Sequence, residues 1–365
     1  MGRVLSKVVY NPGAHGNGNY VSAAATDATI KNISNTTLYA NSNGFIANGP
    51  ELLTVFNGQT GAAIHTTWYN PNRAGGVGGV SNSYSSSIWG DSNGNRGSRF
   101  FATVAYLAGA NQNPSAVFTR GCYTSVYVWA VDFNGSQLST RWLHASTSKT
   151  SYSVTNASGT KTTYAGLTAT GTGGTATAYG QGNHQVSVAD VDDDGKDEVL
   201  YSQCAFDDDG RLMYTTGFGH GDAMHVSDHD PDRPGLEVFS VHEESTANYG
   251  CDMHDARTGE ILLRQTASGD TGRGMMADFD GDHRGSEFCT SADGYIVYDI
   301  TGTAISEATM SAANFPIYWD GDLQREHLSN ASVMAPILEK YYSAGKSRIL
   351  LNGNHDNPYS LGSSK

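Results

Sequence analysis

Three stretches of the chain repeat the same acidic loop. In each, carboxylate oxygens stand at positions one, three and five, a glycine follows, and a glutamate closes the loop at position nine or ten. Such a loop suits a hard cation that takes six to eight oxygen ligands, and calcium is the natural candidate. The residues predicted as calcium ligands are Asp190, Asp192, Asp194, Glu198, Asp228, Asp230, Asp232, Glu237, Asp278, Asp280, Asp282 and Glu287.

Two weaker versions of the loop lie outside these stretches. Asp91, Asn93 and Asn95 keep oxygen ligands at positions one, three and five with less charge, and we predict them as metal ligands too. The pair Asp320 and Asp322 is shorter. For the three strong loops, the alternative interpretation is a solvated acidic surface, but random clustering would not repeat the order of aspartates, glycine and glutamate in this way.

The residues around the loops indicate strands. The loops are not EF-hands, which place the glutamate at position twelve between two helices. Runs such as 238–241, rich in β-branched and aromatic residues, follow the closing glutamates. Asn57-Gly58 and Thr258-Gly259 are typical of tight hairpin turns, because glycine supplies a positive φ. The loops start 38 residues apart (228 − 190) and then 50 apart (278 − 228), and such periods predict propeller blades.

We therefore predict one all-β domain, a calcium-binding β-propeller over residues 1–365. The stretch Ser146 to Gly182, rich in Ser, Thr, Gly and Ala, is predicted as a long surface hairpin rather than a domain boundary. Ser332 to Tyr342 has rough helical spacing that Pro336 interrupts, and we predict a loop there.

Composition narrows the partners. The chain has 22 basic and 36 acidic residues and a net charge of −14, which argues against nucleic-acid binding. No apolar run is long enough for a transmembrane helix, so no membrane partner is expected. The cysteines are scattered without metal-site spacing. Buried free thiols are the default prediction for them, and a disulfide stays open.

Longer segments point to a family. Gly217-Phe-Gly219-His220-Gly221-Asp222, Asp270-Thr-Gly272-Arg273, Trp89-Gly90-Asp91 and Gly49-Pro50-Glu51 resemble segments of rhamnogalacturonan lyases of polysaccharide lyase family 11, in the same order along the chain. The resemblance implies an eight-bladed, calcium-rich propeller that is secreted. It also implies cleavage of the rhamnose–galacturonate backbone of pectin by β-elimination, with bound calcium neutralising the uronate carboxylate.

The resemblance also implies site residues. Catalytic candidates are His184, His220 and Arg273, and substrate-binding candidates are Asn352, Gly353, Trp89 and Tyr123. A catalytic calcium is expected near Asn352 or the Trp89-Gly90-Asp91 segment, apart from the structural loops. The alternative for the histidines and Arg273 is that they tie loops together by hydrogen bonds, and for Trp89 and Tyr123 it is packing in the core.

Two departures from the family keep a second function open. Family members are longer, so we expect this chain to begin within the first blade and to end before the last, which leaves open edge strands. Either self-association with a neighbouring copy completes the blades, or the chain is a fragment of a longer polypeptide. Where the family commonly has Asn and Asp, this chain has Ile88 and Ala108, which can neither bind calcium nor hydrogen-bond a uronate. The alternative function is a non-catalytic, calcium-stabilised propeller in carbohydrate binding, adhesion or extracellular assembly. The N-terminal residues Met1-Gly-Arg-Val-Leu-Ser do not match a signal peptide, although the composition suits an extracellular protein.

Overall fold

The computed structural model describes residues 3–9, 19–33, 39, 46–310, 314–330, 336–342 and 346–352. This part of the chain is nearly all β-structure, which confirms the predicted all-β class. The sheets are antiparallel, and each of the larger ones is built from strands that follow one another in sequence.

The first two large sheets differ from the later ones. The first has three strands, β1 (Arg3–Val9), β2 (Glu51–Asn57) and β3 (Ala63–Trp68). Three short helices accompany it, α1 (Asn19–Ala23), α2 (Ala28–Lys31) and α3 (Ser86–Trp89). The second sheet has six strands, β4 (Phe100–Ala105), β5 (Ser115–Arg120), β6 (Val126–Phe133), β7 (Leu138–Ser146), β8 (Ser151–Asn156) and β9 (Lys161–Ala165).

The hairpin predicted between Ser146 and Gly182 is confirmed in part, over β8 and β9. β8 and β9 pair with each other and extend the second sheet beyond four strands. A small two-stranded sheet follows, β10 (Leu167–Thr168) with β11 (Thr175–Ala176). The backbone N–H groups of Thr170 and Gly171 donate to the carbonyl oxygens of Thr215 and Thr216, so this segment is hydrogen-bonded to the next sheet.

Four sheets of four strands make up the rest of the described chain. The third sheet is β12 (Ser187–Ala189), β13 (Glu198–Leu200), β14 (Cys204–Phe206) and β15 (Leu212–Thr215). The fourth is β16 (Met224–Ser227), β17 (Glu237–His242), β18 (Gly250–Asp255) and β19 (Ile261–Gln265). The fifth is β20 (Gly274–Ala277), β21 (Glu287–Thr290), β22 (Ile296–Tyr298) and β23 (Ala304–Thr309). The sixth is β24 (Phe315–Ile317), β25 (Glu326–Asn330), β26 (Pro336–Tyr342) and β27 (Lys346–Asn352).

One prediction about an element is wrong. Pro336 to Tyr342 is strand β26, not loop, and it pairs with β25 on one side and β27 on the other. Proline is tolerated there because it is the first residue of the strand, where its missing N–H costs least.

Most apolar clusters lie between two consecutive sheets, and one lies between the first sheet and the short helices beside it. Val117 and Val128 of the second sheet pack in one cluster with Val199 of the third, and Phe239 of the fourth sheet packs with Phe288 of the fifth. Alternation of side chains along a strand gives every sheet two faces to bury, so neighbouring sheets must stack face to face. Sequential stacking of four-stranded units is the arrangement that propeller blades adopt.

Within each unit, the strand order places the loops at opposite ends. In an antiparallel meander, the connection between strands one and two lies at the same end as that between strands three and four. The acidic loops make the first of these connections and the glycine turns make the second. The connection between strands two and three and the link to the next unit lie at the other end. The catalytic candidates His184, His220 and Arg273 lie in such links.

The four cysteines are buried free thiols, as expected by default. None of the described helices is long and apolar enough to cross a membrane.

Candidate functional site

The candidate site forms where links between sheets meet. His184 precedes β12, His220 and Asp222 precede β16, and Glu243 follows β17. A parallel bridge between Asn183 and Gly221 holds the first two links side by side. Gly221 has no space for a side chain, because a Cβ there would lie 1.7 Å from the carbonyl oxygen of residue 241. The close approach of these loops therefore depends on glycine.

His220 presents a lone pair to two carboxylates. Its ring is fully buried, and Nδ1 lies 2.7 Å from the carbonyl oxygen of Gly182. A carbonyl only accepts, so Nδ1 carries the proton and Nε2 is an acceptor. Nε2 has no hydrogen-bond partner among the described residues, and it faces Asp222 Oδ1 at 3.4 Å and Glu243 Oε2 at 3.8 Å. Burial lowers the pKa of His220, which keeps the ring neutral.

The converging acceptors need a positive charge or a proton between them. Ligand atoms of His220, Asp222 and Glu243 all lie within 4.8 Å of one another. Burial, together with Asp222 nearby, raises the pKa of Glu243 to about 8. Burial works against ionisation of Asp222 as well, but His184, His220 and Glu243 around it together outweigh burial and hold the pKa of Asp222 well below its usual value. A divalent cation fits this set, since carboxylates suit calcium and an imidazole also suits transition metals.

A cavity of about 280 Å³ opens beside these groups. Its lining includes His184, Asp222 and Arg273. The half-exposed guanidinium of Arg273 donates from NH1 to Asp222 Oδ2 at 3.1 Å, while His184 Nδ1 lies 2.8 Å from Asp222 Oδ1. Asp222 is thus held from two sides, and Arg273 keeps other donors for a ligand.

Tyr123, in the connection between β5 and β6, packs against the same cluster. Its ring centroid lies 3.9 Å from that of His220, and its hydroxyl lies 3.1 Å from His184 Nε2. The guanidinium of Arg96 covers the ring at 4.2 Å from its centroid. Burial raises the pKa of Tyr123 to about 12, so the hydroxyl stays protonated.

The acidic loops lie at the other end of the sheets and share one construction. The closing glutamate begins the second strand, is fully buried, and accepts backbone N–H groups with one carboxylate oxygen. Glu237 Oε2 accepts from His229 at 2.8 Å and Asp230 at 3.1 Å, and Glu287 Oε2 accepts from Phe279 at 2.7 Å. The glutamate therefore shapes the loop and leaves its second oxygen for another partner.

That second oxygen fits a bound cation. Oε1 of Glu198, Glu237 and Glu287 is buried and has no hydrogen-bond partner among the described residues. In the fifth sheet, Asp278 Oδ1 is also buried and has no hydrogen-bond partner among the described residues. Burial and the neighbouring aspartates raise the pKa of Glu198 and Glu287 to about 8. A buried oxygen of this kind is costly unless it is paired, so the residues present suit a calcium ion.

The weak loop at Asp91 is built differently. Both of its carboxylate oxygens accept from protein donors, one from the hydroxyl of Tyr84 and the other from the backbone N–H of Arg96 at 3.0 Å. Asn93 accepts from the backbone of Asn95 at 3.1 Å. No buried glutamate closes this loop in the described structure. Asp91 therefore braces the loop, and the role of Asp91, Asn93 and Asn95 as metal ligands stays a prediction.

Comparison with known protein families identifies the family of this chain. The sequence profile described as "Rhamnogalacturonan lyase family 11, C-terminal domain" matches residues 7–358. The chain belongs to rhamnogalacturonan lyase family 11.

Relatives within rhamnogalacturonan lyase family 11 are much longer than this chain. Rhamnogalacturonan endolyase YesW of Bacillus subtilis (strain 168) is 43% identical over 305 residues, which is 83% of this chain and 43% of YesW. Rhamnogalacturonan exolyase YesX of the same organism is 44% identical over 312 residues, 83% of this chain and 45% of YesX. A crystal structure of exotype rhamnogalacturonan lyase YesX matches with a TM-score of 0.71 at 39% identity, covering 87% of this chain and 48% of that one.

The structure brings some of the residues expected from the family together and places others elsewhere. His184, His220, Arg273 and Tyr123 lie together at the candidate site. Trp89 does not belong there. It is 1% exposed, and its indole N–H donates to the carbonyl of Arg73 at 2.7 Å, so it has no free face for a sugar and is a core residue.

The other residues expected from the family lie elsewhere. Asn352 is the last residue of β27, and Gly353 lies outside the described residues. Ile88 packs against the core between the first and second sheets, and Ala108 is half-buried in the turn after β4. Neither offers a polar atom to a ligand from its side chain.

Two site residues were missed in the sequence. Asp222 stands within the family-like segment after His220, and its spacing of two residues from a histidine could have marked it. Glu243 has no such signal, because it follows a buried strand whose pattern describes packing only. The backbone N–H of Glu243 donates to the carbonyl oxygen of His220 at 3.0 Å, and this hydrogen bond joins the connection after β17 to the one before β16.

Proposed function

We propose that this chain carries the catalytic centre of a rhamnogalacturonan lyase that acts by calcium-assisted β-elimination. The observation that carries the proposal is the convergence of His220 Nε2, Asp222 and Glu243 beside a cavity that also presents Arg273. The site combines a place for a cation with a cationic side chain. Both are what a uronate carboxylate needs in order to be neutralised.

The chemistry explains why two positive charges are useful. In β-elimination a base removes the C5 proton of galacturonate, the bond from C4 to the glycosidic oxygen breaks, and an unsaturated uronate remains. The C5 proton becomes acidic only when the carboxylate beside it is neutralised. Bound calcium supplies electrostatic stabilisation of the negative charge that develops there. Arg273 contributes a planar fork of donors that matches a carboxylate.

The other residues of the site position these groups. His184 and Arg273 hold Asp222 from opposite sides, so the carboxylate keeps its direction toward the cation site. Tyr123 fills the space over His220 and excludes water from the ring. We assign His184 and Tyr123 to positioning and Arg273 to substrate binding.

The acidic loops have a separate role in this proposal. We assign structural calcium ions to the loops that Glu198, Glu237 and Glu287 close, at the opposite end of the sheets from the cavity. An extracellular location suits such loops, because calcium sites of extracellular modules are tuned to concentrations of about a tenth of a millimolar to a millimolar. The proposed partner is the rhamnogalacturonan of pectin.

The direct test is an assay of the purified chain with rhamnogalacturonan and calcium. We expect a steady rise in ultraviolet absorbance from the unsaturated product, and its loss in excess chelator. Glu243→Gln should reduce the rate about tenfold or more, because a neutral amide binds a cation less well than a carboxylate. Glu244→Gln is the matched control, one residue along the chain and outside the cluster. A folded sample that produces no absorbance in calcium would contradict the enzyme proposal.

Ile88 and Ala108 favour a second candidate, a calcium-stabilised relative that binds carbohydrate without cleaving it. The apolar side chains at these positions remove two polar groups that the family commonly carries. Calorimetric titration with rhamnogalacturonan oligosaccharides distinguishes the two. Binding without an absorbance change supports the second candidate, and binding with product formation excludes it.

A further inference from the structure

A fourth acidic loop occupies the equivalent place in the sixth sheet. It joins β24 to β25, and Glu326 closes it at the start of the second strand. Trp319 N donates to Glu326 Oε2 at 2.7 Å, as Phe279 N does to Glu287 Oε2 at 2.7 Å. Asp322 N donates to Asp320 Oδ1 at 3.3 Å, as its counterpart in the fifth sheet does at 3.0 Å. The backbone construction is therefore that of the other loops.

The content of this loop differs in two ways. The first ligand position, an aspartate in the other loops, is Tyr318. In addition, the ammonium group of Lys340 lies among the carboxylates. Nζ is 2.5 Å from Asp320 Oδ2 and 3.0 Å from Glu326 Oε1, and it also contacts Asp322. The lysine side chain is only 8% exposed, so it belongs to the interior of the loop.

The strand register shows that a charge has been reversed. His327 pairs with Glu339, and one further step along β25 and β26 places Glu326 opposite Lys340. In the fourth sheet the residue opposite the closing glutamate is Asp255, which pairs with Glu237. In the third sheet Val199 pairs with Phe206, so one further residue along each strand places Glu198 opposite Asp207. In the fifth sheet Phe288 pairs with Tyr298, which places Glu287 opposite Asp299 in the same way. An aspartate thus stands there in three sheets and a lysine in the sixth.

The closing glutamates differ in their ion pairs. In all four sheets, Oε1 of the closing glutamate is buried without a hydrogen-bond partner among the described residues. No described cationic side chain pairs with it in the third and fifth sheets, whereas Arg233 Nε lies 3.8 Å from it in the fourth and Lys340 Nζ lies 3.0 Å from it in the sixth. Asp320, Asp322 and Glu326 converge within 4.8 Å, and the ammonium contacts all three.

We propose that Lys340 is the resident cation of the fourth loop, which therefore binds no divalent metal. A positive charge among three carboxylates satisfies the buried oxygen and repels a second cation. Because the lysine is covalently part of β26, the sixth sheet holds its loop in the absence of calcium, whereas the other three depend on bound metal.

The test counts bound calcium by native mass spectrometry at a fixed free calcium concentration. Lys340→Met removes the ammonium and keeps a side chain of similar length, so we expect one more calcium per chain than in the unmodified protein. Lys161→Met, on the exposed strand β9, is the matched control and should leave the count unchanged. A Lys340→Met protein that folds and gains no calcium would overturn the proposal.

A second variant keeps the test decisive if Lys340→Met does not fold. Asp322→Asn removes one carboxylate and leaves the lysine in place, so we expect the calcium count of the unmodified protein. Asp282→Asn, at the equivalent position of the fifth sheet, should instead weaken calcium binding by one site. If Asp322→Asn also loses one calcium, the fourth loop is an ordinary metal site and the proposal is wrong.

Discussion

The position of a single proton determines what the candidate site can bind. The carbonyl of Gly182 fixes the proton of His220 on Nδ1, and Nε2 is left as an acceptor facing Asp222 and Glu243. Without that carbonyl, the ring could donate to either carboxylate and the cluster would satisfy itself. The site therefore suits a cation because of a backbone contact as much as because of its charged side chains.

Substitution of Arg273 tests its proposed contact with the uronate. Charge-assisted hydrogen bonds are worth about 1.5–3 kcal/mol, so Arg273→Ala should lower kcat/KM on rhamnogalacturonan about 10- to 100-fold. Arg273→Lys keeps the charge but loses the fork, and should recover only part of the loss. Arg257→Ala is the control, since Arg257 is an exposed arginine in the turn after β18 and outside the cluster. Equal kcat/KM for Arg273→Ala and Arg257→Ala would exclude the contact.

At the scale of elements, the four-stranded unit separates stability from chemistry. Connections at one end carry acidic loops that hold strands one and two together, and connections at the other end carry the cavity residues. The closing glutamate belongs to both the strand and the loop, because it is the first residue of the strand and its carboxylate accepts a backbone N–H group of the loop. A change in a loop thus affects the strand before it affects the distant cavity.

The closing glutamates predict a pH dependence of the metal-free protein. The pKa of Glu198 and Glu287 is about 8 in the fold, against an ordinary value of 4.5. Below about pH 4.5 both states bind the proton, and between these values only the folded state does. In chelator, their contribution to the free energy of unfolding should therefore fall as pH rises from about 4.5 to 8.

The check is a series of melting curves in chelator across that pH range. Glu198→Gln/Glu287→Gln removes both titrations and keeps oxygens that can accept the backbone N–H groups, so its melting temperature should fall less with pH. Saturating calcium favours the ionised glutamates and should reduce the fall in the unmodified protein as well. Parallel curves for the variant and the unmodified protein in chelator would contradict the assigned cause.

At the scale of the whole molecule, stability is a chain of interfaces between consecutive sheets. Most cores use strands from two sheets, as Val238 packs with Leu200 and Tyr214 in the cluster between the third and fourth. A loop that holds one sheet in shape therefore supports two interfaces. Calcium bound at one end of the sheets should stabilise cores along much of the described chain.

Removal of calcium should lower the melting temperature by about 10 °C or more. Three ions that bind only the native state, each at about a hundred times its Kd, contribute roughly 8 kcal/mol together. Differential scanning calorimetry before and after chelation measures the shift, and restored calcium should reverse it. Magnesium at the same concentration is the control, because it dehydrates reluctantly and fits flexible oxygen cages poorly. An unchanged melting curve would argue against structural calcium.

Several features could be predicted because their causes are local. The order of aspartates, glycine and glutamate within ten residues specifies an acidic loop, and the apolar run after Glu237 specifies a strand. Strand β26 could not be predicted in this way. Pro336 argues against a helix there, but only pairing with β25 and β27 makes the segment a strand. Trp89 likewise resembles a sugar platform until the fold buries it.

By itself, the sequence determined the all-β class, the repeated unit and the family, because periodic strands, glycine turns and acidic loops are encoded over short distances. Only the tertiary structure decided the sites. Glu243 joins His220 and Tyr123 from connections far apart in the chain, and Lys340 enters the loop closed by Glu326 across a strand pair. Burial and register set which oxygens lack a partner, and these are properties of packed sheets rather than of any one segment.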